Sequence, residues 1–253
     1  MLGKDVPATV ASKVSGIPRP AAPVVSGHRR RRFADVLPEG IDAVARGGIA
    51  GSQSRLPAAL RRLHRGLLRH MLATGRPPPA GALHRMAGAS GLQAGASLRA
   101  LAEADLVRLA PDGEVAAAYP LSGRPSPHRV ELGRGFVLNA TCAIGALGIP
   151  LMTGRPATIV SRDPGNDRRI TVRFDGTHWH WQPPGAVVLL AAVARTGPLA
   201  VACLHTGFHA TAPDAHAYLH AHPSLAGQVL NKIDAVEIAH SEFGPLLHDD
   251  LPT

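Results

Sequence analysis

The chain has 253 residues, 45% of them hydrophobic, which allows one large domain or two smaller ones with a real core. Its two cysteines are too few for a disulfide framework and fit a reducing compartment, and no apolar run reaches the roughly 18–20 residues that span a bilayer. The net charge of +9 lies at the front: residues 51–110 carry nine arginines against two acids, whereas residues 111–253 are slightly acidic, so any attraction to an anionic partner belongs to the first half.

Residues 1–50 read as a disordered basic leader. Pro, Gly, Ser and Ala dominate it around the cluster His28-Arg29-Arg30-Arg31-Arg32, and such a stretch buries too little to offset the entropy of ordering it. It has no continuous apolar segment of the signal-peptide kind, and a cytoplasmic protein is expected. The arginine run either touches nucleic acid or is a tail without a partner, which is the commoner meaning of basic runs.

Residues 51–118 read as a helical module with a β extension. Leu56, Leu60, Leu63, Leu67, Leu68 and Met71 recur at helical spacing, with arginines on the opposite face. Gly75 and Pro77-Pro78-Pro79 end that helix. A short helix over Ala80–Ala87, a turn at Ser90-Gly91 and a third helix over Ala94–Ala104 follow. Leu106–Leu109 and Glu114–Ala118 then flank the turn Pro111-Asp112-Gly113 as a hairpin. Three helices and a hairpin in this order predict a winged helix-turn-helix-like domain.

Residues 119–253 read as a mixed α+β domain. Strands are predicted over His128–Leu132, Ala157–Val160, Arg169–Phe174, His178–Trp181 and Ala186–Val193. Helices are predicted over Thr141–Gly148, Asp214–Ala221 and Ile233–Leu247. The apolar run Ala186–Ala194 suits a strand covered on both faces.

Both cysteines lie in this second part. Cys142 stands in Asn139-Ala140-Thr141-Cys142-Ala143-Ile144-Gly145-Ala146-Leu147-Gly148-Ile149-Pro150, and Cys203 begins Cys203-Leu204-His205-Thr206-Gly207-Phe208-His209-Ala210-Thr211. With Asn139 or Thr141 as a cap, Cys142 falls in a first helical turn, where the helix dipole favours thiolate. Taken alone, a cysteine is more often a small buried hydrophobe. Fourteen histidines invite a metal reading. His216 and His220 are spaced i, i+4 beside His222, and His178 and His180 share a strand face. No His-Glu-x-x-His motif accompanies them, and surface positions are expected.

The two cysteine segments, the entry Tyr119-Pro120-Leu121-Ser122-Gly123-Arg124-Pro125-Ser126-Pro127-His128-Arg129-Val130 and the downstream Ala217-Tyr218-Leu219-His220-Ala221-His222-Pro223 and Gly227-Gln228-Val229-Leu230 resemble the alkylmercury lyase (organomercurial lyase) family. The resemblance spans about residues 55–250 and implies an N-terminal winged-helix-like domain followed by an alkylmercury-lyase-type α+β domain over 119–253. It implies protonolysis of carbon–mercury bonds in mercury resistance, with Cys142 and Cys203 as catalytic thiols that also bind the substrate's mercury. No cofactor is implied. Released Hg(II) would go to cellular thiols or a mercuric reductase.

The chemistry suits these residues. Mercury is a soft metal and thiolate is its matching ligand. Two thiolates enrich the carbon bonded to mercury, which then takes a proton from a nearby acid. The family places that acid three residues after its first cysteine, on the same helical face. Here that residue is Gly145, so the family's Asp is absent. Candidate replacements are a protonated cysteine, His205, Asp163, Asp214 or a water. Two other functions follow from the sequence. One is a soft-metal (Hg or Cu) binding protein on the same fold without turnover. The other is a DNA-binding regulator reading a groove with Ala94–Ala104; that helix offers only Arg99, and Glu103 opposes binding, so nucleic acid is not expected as the partner.

Overall fold

The computed structural model describes residues 33–36, 47–133, 137–193 and 198–248. The arginine cluster and most of the leader lie outside the described residues. Its described part includes a 3-10 turn, Phe33–Asp35, with Phe33 buried in the core.

Four helices follow: α1 (Gly48–Ser54), α2 (Ala58–Thr74), α3 (Ala80–Gly88) and α4 (Ala94–Glu103). The first had no counterpart in the sequence reading. α2 buries Leu63, Leu67, Leu68 and Met71 along one face, as their spacing predicted. It stops where Gly75 adopts φ 69°, a conformation that costs glycine little. Arg65 departs from the solvent face expected of the arginines: it is buried and its Nε donates to Leu246 O.

β1 (Val107–Leu109) and β2 (Val115–Ala118) form the expected hairpin. It does not stand apart, because β2 pairs with β3 (Leu121–Ser122) and so joins the main sheet. The chain continues through β4 (Arg129–Leu132), β5 (Val137–Ala140), α5 (Ala143–Thr153), β6 (Ala157–Arg162), β7 (Arg169–Phe174) and β8 (Trp179–Gln182). The strands pair antiparallel in the order β1-β2-β3-β5-β4-β6-β7-β8. Alternation sets the two faces. Val130, Leu132, Ile159, Ile170, Val172 and Phe174 point to the core, while Arg129, Arg162, Arg169 and Arg173 point to solvent.

β9 (Val187–Val193), α6 (Leu199–Cys203), β10 (Gly207–His209), α7 (Ala212–Ala221), β11 (Leu225–Leu230) and α8 (Lys232–Phe243) complete the described fold. β9 is the middle of a second antiparallel sheet, ordered β10-β9-β11. It is buried from Val188 to Ala192, as its continuous apolar run requires.

α5 is the central helix. Ala143 to Pro150 are all buried, and the helix packs along α8. Gly148 permits that approach, since a Cβ there would collide with the Phe243 ring. The helix was expected to end at Gly148. It instead runs through Pro150, whose nitrogen has no proton to donate, because burial on every side outweighs the lost bond. Beside Phe243 at the C-terminal end of α8, the buried Glu242 accepts from Ile49 N at 2.7 Å and Phe33 N at 3.4 Å, supplying α1 with a carboxylate at its uncapped start. Among the described residues no helix is long and apolar enough to cross a membrane.

Candidate functional site

β5 leads directly into the first cysteine. Asn139 Oδ1 accepts from Ser126 N at 3.3 Å, and Ser126 Oγ donates to Ala140 O at 2.6 Å. Thr141 donates twice to Pro120 O, from its backbone N at 2.9 Å and from Oγ1 at 3.3 Å. Neither Asn139 nor Thr141 therefore caps α5, as the sequence had suggested. Cys142 is itself the cap, with extended backbone and its Sγ accepting from Gly145 N at 3.3 Å. The sulfur thus takes the place that a serine or aspartate oxygen usually fills, at the positive end of the helix.

The second cysteine is the last residue of α6, a five-residue helix. Its first amide, Leu199 N, donates to Asp105 Oδ2 at 2.6 Å. Asp105 follows α4 in a left-handed conformation, φ 56°, and is buried. Past Cys203 the chain turns through residues 204–206. Thr206 Oγ1 donates to Ala202 O at 2.9 Å, and Thr206 O accepts from Ala143 N at 3.1 Å. That last bond joins the first residue of α5 to the loop behind Cys203, and so brings the cysteines to one place. Both are free thiols, Cys142 buried and Cys203 partly exposed.

The two sulfurs set each other's charge. The proton of the Cys203 thiol holds Cys142 below the ordinary thiol range, helped by the amides of Gly145 and Ile144 and by Thr141, against the cost of burial. The same interaction, then burial and the charges of Cys142 and Asp105, pushes Cys203 well up. The shifts run in opposite directions, so Cys142 is the sulfur that gives up its proton more readily and Cys203 the one that keeps it. Cys203 Sγ directs a long hydrogen bond, 3.9 Å, to Thr141 Oγ1. The Tyr119 phenol lies within electrostatic reach of both sulfurs, and burial first, then Cys203, keeps it protonated.

The acids singled out in the sequence are engaged elsewhere. Asp163 is buried, accepting from Gly165 N at 2.9 Å and Ala210 N at 2.8 Å. His209 Nδ1 stands 3.1 Å from its Oδ1, and burial lowers the His209 pKa against the pull of that carboxylate. Asp214 accepts from Thr211 Oγ1 at 2.7 Å at the start of α7. His205 lies two residues beyond Cys203, its pKa lowered by burial and then by His222. The carboxylate whose charge does reach Cys203 is Asp105, from the N-terminal module, which no motif had marked.

Among the described residues the histidines form no centre. His178 and His180 are exposed around Asp175, and His222 stacks on Tyr218 with ring centroids 4.1 Å apart. Among the described residues no group of three or more His, Cys, Asp or Glu side chains could hold a metal. The donor set at the thiols is two sulfurs, which suits a soft two-coordinate ion and not tetrahedral zinc.

Residues 121–244 match the family described as alkylmercury lyase, MerB. Ten chains of solved structures match the fold. One is a mercury-bound form of MerB2, with a TM-score of 0.64 and 20% identity, covering 78% of this chain and 95% of that one. No curated protein sequence matches the chain.

Proposed function

We propose, from the match of residues 121–244 to the alkylmercury lyase family, that the chain cleaves carbon–mercury bonds of organomercurials by protonolysis. One observation carries the reading. Cys203, far away in sequence, reaches the start of the buried helix that Cys142 caps, with its sulfur bonded to the hydroxyl of the neighbouring Thr141. The Cys142 thiolate takes the mercury of an incoming organomercurial and displaces its previous ligand. Cys203 then becomes the second sulfur ligand, and the carbon leaves as hydrocarbon with a proton. Overall, R–Hg⁺, the Cys142 thiolate and the Cys203 thiol give R–H and one Hg(II) dithiolate. The Hg(II) then passes to cellular thiols or a mercuric reductase by thiol exchange. The N-terminal module, winged-helix-like in its order of elements, serves the site by holding α6 through Asp105.

Headspace methane from methylmercury, with reduced protein and excess thiol, tests this. The wild-type chain is expected to release methane and Cys142→Ala none above background. Methane from both proteins, or from neither, refutes a Cys142-dependent lyase. The missing carboxyl at Gly145 favours one second reading, a thiol clamp that holds Hg(II) or Cu(I) without turnover. Tight Hg(II) binding with no methane selects that reading.

A further inference from the structure

A hydroxyl borders the space that a side chain at position 145 would enter. Thr141 Oγ1 lies 3.2 Å from where a Cβ of residue 145 would stand. It accepts from Cys203 Sγ at 3.9 Å and donates to Pro120 O at 3.3 Å. The backbone N of Thr141 donates to the same carbonyl at 2.9 Å, so the backbone stays held when the hydroxyl hydrogen turns away from Pro120 O.

We infer that the Thr141 hydroxyl relays to carbon the proton that leaves the Cys203 thiol; the inference rests on the lyase reading. Cys142 sulfur holds R–Hg. Cys203 S–H gives its proton to Thr141 Oγ1 as Thr141 passes its own hydroxyl proton to the carbon. The carbon–mercury bond breaks, and its electron pair takes that proton. Cys203 sulfur, now thiolate, forms the second sulfur–mercury bond. R–Hg–S–Cys142 and HS–Cys203 thus become R–H and Cys142–S–Hg–S–Cys203, with Thr141 unchanged and no oxidant or reductant required. The relay answers a geometric need: the Cys203 sulfur must turn its lone pair to mercury while its proton goes to carbon, and a hydroxyl beside it lets the two part.

The test compares the full-length wild type with Thr141→Val, which keeps the shape and removes the hydroxyl, and Thr141→Ser, which restores it. Methane release from methylmercury is measured with Hg(II) binding as the control for an intact clamp. Thr141→Val is expected to bind Hg(II) like the wild type and to lose about 10²-fold in methane rate, with Thr141→Ser within about tenfold of the wild type. Rates in H2O/D2O mixtures give a second readout that needs no variant: two protons in flight make the wild-type plot bow, and a straight line overturns the relay. Equal rates in wild type and Thr141→Val overturn the relay and leave the lyase reading standing. Equal losses in the Val and Ser variants overturn it too, since shape and not the hydroxyl would then matter. A wild type that releases no methane overturns the lyase reading and the relay with it.

Discussion

Any side chain at position 145 would start 3.2 Å from Pro120 Cβ and 3.3 Å from Pro120 O as well as crowding Thr141. Neighbours must yield by a few tenths of an ångström, and in a packed interior such adjustment is costly. Gly145→Asp is therefore expected to lower the unfolding free energy by about 1–3 kcal/mol. Trimming Thr141 should return part of it. Urea unfolding of Gly145→Asp, Thr141→Ala and the double variant measures the coupling, expected above about 0.5 kcal/mol in favour of the double. Strict additivity would show that the two side chains do not share space. Introducing a carboxyl here is thus a change of two residues. The cysteines were legible in the sequence because few side chains suit a soft metal. Thr141 was legible only as a cap, and wrongly, because the meaning of its hydroxyl depends on Pro120 O and on a sulfur far along the chain. Asp105 was not legible at all: neither its left-handed backbone nor its bond to Leu199 leaves a pattern in sequence.

Elements show the same division. α2, α4 and β7 could be read from period alone, since each shows one face to a continuous core. α1, α6, β10 and β11 could not. The helices are short, β10 has three residues, and β11 is only partly buried for most of its length. Pairing with β9 and hydrogen bonds to distant residues decide them. A helix the length of α6 has no stability of its own, so Asp105 matters to the placement of Cys203. Asp105→Ala is expected to cost about 1–3 kcal/mol of stability by unfolding and to speed loss of bound Hg(II) to a competing dithiol. Asp105→Asn, which keeps an acceptor, should lose less. Hg(II) retention in the Ala variant equal to that of the wild type would mean that other contacts hold α6.

On the scale of the whole molecule, two buried imidazoles join segments distant in sequence. The Gln53 amide donates to His64 Nδ1 at 2.9 Å and to Leu246 O at 3.0 Å, linking α1, α2 and the turn beyond α8. His128 pairs through Nδ1 with Ser161 Oγ at 2.9 Å and meets the Phe208 ring edge-on. Burial lowers each ring from 6.5 to about 4. Both states are neutral above about pH 6.5. As pH falls below that value the unfolded chain takes up protons and the folded chain does not, so stability is lost progressively down to about pH 4. The loss is expected to approach roughly 3 kcal/mol per ring. Urea midpoints between pH 7 and pH 4.5 check it, and a flat profile counts against neutral buried rings. The sequence had suggested a break between residues 118 and 119, where a hairpin ends. β2, buried along its length, pairs with β3 three residues later, so one strand ladder runs on both sides of that point.

The contact of Ala143 N with Thr206 O closes a loop of about sixty residues with one hydrogen bond. A mercury ion held by both sulfurs would close nearly the same loop through two strong sulfur–metal bonds. By the chain-entropy estimate for disulfides, a cross-link of that span is worth about 4 kcal/mol. The reaction product would then act as a staple on the protein that made it. Heat alone would not shake the metal loose, and its release would be left to an incoming thiol able to exchange for one sulfur at a time.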